Sequence, residues 1–150
     1  MSSSAPTTVR GSCLCGKIQY ELARTPSANQ NCLCFCNSCR KMTGSVGMAN
    51  SWVKNEEFKL LTGAEHMRIY DDRSCDSGGA IERGFCASCG STMTSENKAK
   101  FPGCLIVPWG SMELDPAGNA WLPTTEYFCK RKASWFSTPE DTERHQELPL

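Results

Sequence analysis

The sequence has little of what would mark a nucleic-acid-binding or membrane protein. Sixteen basic and sixteen acidic residues give a formal net charge of zero. Such a balance provides no general attraction for a nucleic-acid backbone or an anionic membrane surface. The longest apolar run, at about residues 104–109, is far too short to cross a bilayer. We therefore expect no nucleic-acid partner and no membrane association, while the oligomeric state stays open.

A secretory signal is also missing from the beginning of the sequence. Residues 1–11 are rich in Ser, Thr and Pro and contain no apolar segment of the kind that targets a chain for export. We therefore expect a cytoplasmic protein in a reducing compartment, where cysteines remain thiols. The chain has eleven cysteines, an odd number that excludes complete pairing within one molecule. Both features favour cysteine as a metal ligand or reactive group.

The length and the pattern of residues predict one mainly β domain. A chain of 150 residues has the usual size of a single domain. We predict a flexible lead at residues 1–10, a folded domain at 11–137 and a polar tail at 138–150 that is disordered or lies on the surface. Ile18, Tyr20 and Leu22 alternate with polar residues, which is typical of a strand with one buried face.

The other predicted elements are short. Further strand candidates are Val46–Val53, Met67–Tyr70, Ser91–Thr94, Leu105–Val107 and Glu126–Cys129. Two stretches could form brief helices: residues 37–42, ended by Gly44, and residues 55–61, ended by Gly63. The predicted class is therefore mainly β with short helical turns.

Two cysteine pairs predict a structural zinc site, with Cys13 and Cys15 early in the chain and Cys86 and Cys89 late in it. Closely spaced cysteines in a tight turn bring their sulfurs to the separation that tetrahedral zinc requires. Each pair is followed by glycine, which suits such a turn. Four thiolates would close the site and connect distant parts of the sheet. Free buried thiols are the alternative interpretation.

A third cluster, Cys34, Cys36 and Cys39, predicts a second zinc with an open position. Three protein ligands and one exchangeable position are typical of catalytic zinc. A thiol bound in that position would be deprotonated at neutral pH. Cys39 would also lie in the first turn of the predicted helix, where the helix dipole favours a thiolate.

The residues around this cluster leave alternatives open. Cys32 could be a fourth ligand that closes the second site, or a strand residue on the same face as Cys34; we favour the second. Arg40 and Lys41 could offset the negative charge or hold a substrate carboxylate. Ordinary solvent exposure explains these two cations equally well.

Together, these motifs resemble the glutathione-dependent formaldehyde-activating enzyme family, which also includes centromere protein V. The resemblance covers roughly residues 9–137. It is carried by GSCLCG at residues 11–16, CFCNSCRKMTGS at 34–45, RGFCASCGS at 83–91, and the segments 108–115 and 126–135.

The resemblance implies an Mss4-like fold pinned by zinc on Cys13, Cys15, Cys86 and Cys89. It implies a second zinc on the cluster that begins at Cys34, where the thiol of glutathione completes the coordination. The implied activity joins glutathione and formaldehyde and is classed as a carbon–sulfur lyase in the reverse sense. The partners would then be a small-molecule thiol and a small electrophile.

The sequence departs from the family pattern at two positions where histidine is frequent. Phe35 lies between the first two cysteines of the second cluster, and Glu126 and Tyr127 precede Phe128. These changes suit a larger, more apolar electrophile, with Tyr127 or Glu126 as proton donor or acceptor. Strand packing and a surface charge are the alternative interpretation.

A non-catalytic zinc module that binds another protein is the competing function. Its apolar patch would include Trp109, Trp121 and Leu122. The same residues could instead line a substrate pocket. A zinc-ribbon nucleic-acid binder is disfavoured by the neutral charge.

Overall fold

The computed structural model describes residues 8–149 as a mainly β fold, which confirms the predicted class. Most of the predicted lead lies outside the described residues, but Val9 is already buried in the first strand. No helix among residues 8–149 is long and apolar enough to cross a membrane. The elements are β1 (Val9–Ser12), β2 (Gln19–Leu22), β3 (Asn31–Cys34), α1 (Asn37–Thr43), β4 (Met48–Lys54), β5 (Phe58–Thr62), β6 (Met67–Asp72), β7 (Ile81–Cys86), β8 (Thr92–Glu96), β9 (Cys104–Pro108), β10 (Thr125–Tyr127) and β11 (Glu143–Arg144).

The strands form two sheets. A three-stranded antiparallel sheet has the order β1-β2-β5, and an eight-stranded sheet has the order β11-β10-β3-β4-β9-β8-β7-β6. In the larger sheet, β10 runs parallel to both β3 and β11, while the other pairs are antiparallel. The strand that ends at Cys34 therefore lies well inside the larger sheet.

The main core confirms the alternation seen in β2 and the residues before it. Ile18, Tyr20 and Leu22 are all buried in the cluster that includes Met93 and Val107. Burial of such side chains contributes roughly 1.5–3 kcal/mol each to stability. The small sheet thus packs onto the large one through the predicted apolar face.

The helix α1 follows its sequence signals closely. The thiol of Cys36 accepts a hydrogen bond from the Cys39 amide at 3.3 Å, so a cysteine acts as the N-cap. Gly44 ends the helix in the left-handed region at φ 63°, and its amide donates to the Arg40 carbonyl. The helix predicted at 37–42 is therefore confirmed.

Two other local predictions are wrong. Residues 55–61 form a single 3-10 turn, Asn55–Glu57, followed by β5, because β5 pairs with β2 along its length. The strand expected at Glu126–Cys129 ends at Tyr127, because Phe128 adopts φ 57° and starts a 3-10 turn.

Most described residues of the C-terminal segment are exposed, although some of them contact the domain. Glu143 and Arg144 form β11 beside β10, and Thr142 is buried. The hydroxyls of Thr138 and Thr142 both donate to the buried carboxylate of Glu126. The segment is polar, as expected, but its polar side chains bind a buried charge and so attach it to the domain.

Candidate metal centres and active-site cavity

The four-cysteine group joins the two sheets. Cys13 and Cys15 lie in the turn between β1 and β2, while Cys86 ends β7 and Cys89 lies in the next turn. Their sulfurs all lie within 4.8 Å of one another, and the separations are 3.5 Å for Cys13–Cys15 and 3.8 Å for Cys15–Cys86. Four sulfurs at 2.3 Å from one zinc would be about 3.8 Å apart. The donor set and its spacing therefore fit a closed tetrahedral zinc site.

Local hydrogen bonds favour negative charge on two of these sulfurs, those of Cys13 and Cys89. The amide of Ile18 donates to the Cys13 sulfur at 3.3 Å. Ser91 lies 3.2 Å from the Cys89 sulfur, and hydrogen bonds from Ser91 lower the pKa of Cys89 to about 5. Stabilised thiolates are the form that binds a metal.

The second group consists of Cys34 at the end of β3, Cys36 at the N-cap of α1 and Cys39 in its first turn. These three sulfurs also lie within 4.8 Å of one another. Hydrogen bonds from Cys34 and Cys39 lower the pKa of Cys36 to about 3. Hydrogen bonds with Cys36 and Cys39 raise the pKa of Cys34 in turn. The donor set fits three-coordinate binding of zinc with one position left for another ligand.

Cys32 lies outside this compact group of sulfurs. It is buried two residues before Cys34 on the same face of β3, as expected for alternate strand positions. Burial raises the pKa of its thiol to about 12. Its geometry agrees with the favoured interpretation, a strand residue beside the site, rather than with a fourth ligand.

A cavity of about 60 Å³ lies against the three sulfurs. One wall is a face of the large sheet, with Cys32 and Cys34 on β3, Asn50 and Trp52 on β4, Ile106 on β9 and Tyr127 on β10. The same sheet also contributes Ile81 and Arg83 from β7. The remaining lining residues beyond the three-sulfur group are Cys75, Ser77, Asn97, Phe101, Phe128 and Leu148. The cavity is thus mostly apolar beyond the sulfurs, which is common for small-molecule sites.

Arg83 is a charged cavity residue to which sequence reasoning gave no role. It is buried, and its guanidinium contacts the Asp72 carboxylate at 2.9 Å and the Ser95 hydroxyl at 3.2 Å. The positive charge of Arg83 also helps lower the pKa of Cys36. The only sequence signal was its position in the motif before Cys86, which does not reveal that β7 carries it to the other cysteine group.

Tyr127 and Glu126 lie on opposite faces of the sheet. Tyr127 lines the cavity, and burial raises the pKa of its phenol. Glu126 is fully buried away from the cavity, and its carboxylate accepts hydrogen bonds from the segment 132–144. Of these two residues, the structure brings only Tyr127 to the cavity beside the sulfurs.

Other predicted binding residues lie elsewhere. Phe35 packs against Phe136 on the far side of the sheet, with the Lys132 ammonium 5.5 Å from its ring centre. Arg40 is exposed and donates to Asn37. Lys41 lines an adjoining groove rather than the cavity. Phe35 therefore does not line the cavity, because its side chain lies with Leu33 on the other face of the sheet.

The apolar patch expected for a partner protein is largely absent among the described residues. Trp121 is buried, stacks on Trp109 at a centroid distance of 5.2 Å and donates to the Ser51 hydroxyl at 2.8 Å. Leu122 is exposed by itself. Single exposed apolar side chains are normal at protein surfaces.

Taken together, a mainly β fold and two sulfur clusters define a class of small β-sheet proteins with paired cysteine metal centres. The chain belongs to the glutathione-dependent formaldehyde-activating enzyme family, whose sequence profile matches residues 8–131. The family predicted from the motifs is thereby confirmed.

Two individual proteins illustrate this similarity. A Halomonas elongata protein with the provisional name glutathione-dependent formaldehyde-activating enzyme is 31% identical over 85 residues, covering 57% of this chain and 54% of that relative. The match thus spans about half of that relative's length. The crystal structure of a Rhodobacter sphaeroides protein has a TM-score of 0.58 at 19% identity, covering 75% of this chain and 97% of the other. This second likeness concerns the fold alone.

Proposed function

We propose that this chain is a zinc-dependent carbon–sulfur lyase that combines a thiol, glutathione, with an aldehyde, or separates the two. The observation that carries the proposal is a three-sulfur group to which residues 8–149 add no fourth ligand, placed against a cavity that Tyr127 also lines. A structural site would be expected to be closed by a fourth protein group. The family match supports glutathione as the thiol.

Two zinc ions are proposed, with different tasks. The four-cysteine site would stabilise the fold by joining the two sheets. Zinc on Cys34, Cys36 and Cys39 would supply the positive charge that keeps an added thiol in its thiolate form near neutral pH. The buried Arg83 adds positive charge at the same place.

Tyr127 would provide the proton for the carbonyl oxygen. Its raised pKa keeps the phenol protonated at neutral pH. The thiol of glutathione loses its proton to solvent, and the sulfur forms a bond to the aldehyde carbon. The π pair of the carbonyl group moves to oxygen, which takes the proton of Tyr127, and solvent then returns a proton to the tyrosinate. The product is a hemithioacetal, and the reverse sequence releases the aldehyde.

The cavity also supports an aldehyde larger than formaldehyde. Phe101, Ile106 and Leu148 form apolar surface that a single carbon would not cover. The non-catalytic protein-binding module remains the alternative function. The unclosed sulfur group and the adjacent cavity favour the enzyme.

The proposal is tested by measuring exchange between free and thiol-bound aldehyde. The chain is loaded with zinc and mixed with glutathione and either formaldehyde or butanal, and exchange is followed by two-dimensional NMR. We expect exchange on the order of 10²-fold faster than without protein. Cys36→Ser should abolish this acceleration. Cys104→Ser is the matched control, since Cys104 is a half-buried cysteine outside both sulfur groups and the cavity.

Equal exchange rates with and without the zinc-loaded chain, for both aldehydes, would overturn the proposed enzyme. Undiminished acceleration by the Cys36→Ser variant would place the activity somewhere other than the three-sulfur site.

A further inference from the structure

Two buried polar atoms of cavity-lining residues lack a hydrogen bond of normal geometry, although the indole of Trp52 also lies close enough to Cys32 to favour the thiolate of that cysteine. Among the described residues, only three buried side-chain nitrogen or oxygen atoms have none, and two of them are Asn50 Oδ1 and Trp52 Nε1. Both residues line the cavity beside the three sulfurs. Asn50 is only 3% exposed. The presence of both residues in the lining of one small cavity points to a ligand that satisfies their polar atoms.

The strand β4 explains why the two side chains share this wall. Positions 50 and 52 are two apart, so their side chains point to the same face of the sheet. Asn50 lies opposite Cys32 on β3, and Trp52 lies opposite Ile106 on β9. Both of these neighbours also line the cavity. The two side chains thus lie on the sheet face that carries Cys34, the first cysteine of the three-sulfur group.

The chemistry of the two atoms specifies what they can bind. The amide oxygen of Asn50 only accepts hydrogen bonds, whereas the indole N–H of Trp52 only donates. A buried polar group without a partner costs about 1–3 kcal/mol. A ligand therefore gains affinity if it offers both a donor and an acceptor here, and a hydroxyl group offers both.

We propose that Asn50 and Trp52 are specificity-determining residues that bind the hydroxyl of a glutathione adduct with an apolar aldehyde. The inference rests on the proposed function, in which sulfur addition converts the carbonyl oxygen into a hydroxyl. Asn50 Oδ1 accepts a hydrogen bond from the hydroxyl group, and Trp52 Nε1 donates one to the hydroxyl oxygen. The hydrocarbon part of the aldehyde packs on Phe101 and Ile106, which lie in the same cavity.

The inference predicts a binding preference that does not depend on turnover. The probes are S-(2-hydroxybutyl)glutathione and S-butylglutathione, which differ by one hydroxyl, and binding to the zinc-loaded chain is measured by calorimetry. The unmodified chain should bind the hydroxylated probe about 10-fold more tightly, the effect of one good hydrogen bond. Asn50→Leu and Trp52→Phe should each reduce the preference to below about threefold.

Trp109→Phe is the matched control for the tryptophan, because Trp109 stacks on Trp121 outside this cavity. It should keep the full preference. Circular dichroism and the melting temperature identify any variant that fails to fold, and the preference of the unmodified chain remains a test without variants.

Equal affinity of the unmodified chain for the two probes, or a preference that survives both cavity substitutions, overturns the inference. Failure of the proposed function has a different signature: the aldehyde exchange rate stays at its uncatalysed value. A chain that accelerates exchange but shows no hydroxyl preference retains the function and loses only this assignment.

Discussion

Tyr127 and Glu126 are neighbours on β10, yet the alternation of the strand gives their side chains entirely different surroundings. Tyr127 faces the cysteine cavity, where burial raises its pKa. Glu126 faces the opposite side, where four side chains from residues 132–144 donate hydrogen bonds to its carboxylate. The position of Tyr127 thus suits the proposed proton transfer, whereas Glu126 attaches a chain segment.

Replacement of Tyr127 tests the proton-transfer role. Tyr127→Phe should lower the exchange rate by on the order of 10²-fold, because general acid catalysis contributes roughly that much. Binding of glutathione alone should stay within about twofold, since the phenol acts on the aldehyde oxygen. The measurement is NMR exchange together with calorimetry.

Tyr70→Phe is the control for this substitution, because Tyr70 is exposed on β6 away from the cavity. A Tyr127→Phe variant with the exchange rate of the unmodified chain would remove Tyr127 from the mechanism.

Replacement of Glu126 tests the attachment role. Burial would raise the pKa of Glu126, but hydrogen bonds led by the one from Lys132 outweigh it and lower the pKa to about 2. Glu126→Gln should therefore reduce the free energy of unfolding at pH 7 by about 2–4 kcal/mol. Urea denaturation measures this change.

The pH dependence of this effect has a definite sign. A lowered pKa in the folded state stabilises the protein above the ordinary carboxyl value, and this stabilisation is lost as the pH falls through the folded value. The difference between Glu126→Gln and the unmodified chain should hence shrink from about pH 4.5 towards pH 2. The exposed Glu143 provides the control Glu143→Gln, expected within about 0.5 kcal/mol of the unmodified chain. A difference for Glu126→Gln that stays constant with pH would contradict the assigned charge.

Among the structural elements, the turn between β5 and β6 depends on a glycine. Gly63 has φ 91°, and a Cβ there would lie 2.2 Å from the Lys17 carbonyl oxygen and 2.7 Å from the Ile18 Cα. Gly63→Ala should therefore destabilise the fold by about 2–4 kcal/mol through strain and collision with backbone atoms. Chemical denaturation of the zinc-loaded chain measures the change.

Gly110→Ala is the matched control, because an added Cβ there would have no neighbour within 4 Å and the backbone angle is ordinary. It should change the stability by less than about 1 kcal/mol. Equal losses of stability in the two glycine variants would disprove the close approach of Gly63 to Lys17 and Ile18.

Sequence patterns predicted the elements whose causes are local. The helix at 37–43 has its cysteine N-cap and its glycine stop within the segment itself. The residues 55–61 have similar local signals, but pairing of β5 with β2 prevails over them. Local signals also cannot show that β10 runs parallel to β3, which is what brings Tyr127 beside Cys34.

The site was predictable to a similar extent and for similar reasons. Cysteine spacing indicated both sulfur groups, because their members lie close together in sequence. In the four-cysteine group, the pairs Cys13–Cys15 and Cys86–Cys89 each form one tight turn. The roles of Asn50 and Trp52 depend on which residues of β3 and β9 face them. Such register over long sequence distances has no signature in a single segment.

At the scale of the whole molecule, the two sulfur groups should differ in what their loss does. The four-cysteine group brings residues 13 and 86 together across the two sheets, so the zinc proposed there would contribute directly to folding. Cys86→Ser should lower the melting temperature by about 10 °C or more, or prevent folding. Cys36→Ser should leave the fold intact and abolish aldehyde exchange.

The melting temperatures of both variants are compared with that of Cys104→Ser, which lies outside the two groups. A larger loss of stability in Cys36→Ser than in Cys86→Ser would reverse the assignment of structural and catalytic sites.

The central claim is that Cys34, Cys36 and Cys39 hold a metal with one position free for a thiol. The most direct measurement is cadmium-113 NMR of the chain loaded with cadmium in place of zinc, recorded before and after addition of glutathione. Two resonances should appear, and glutathione should shift only the one that is missing in Cys36→Ser. A single resonance, or two resonances that both ignore glutathione, would contradict the claim.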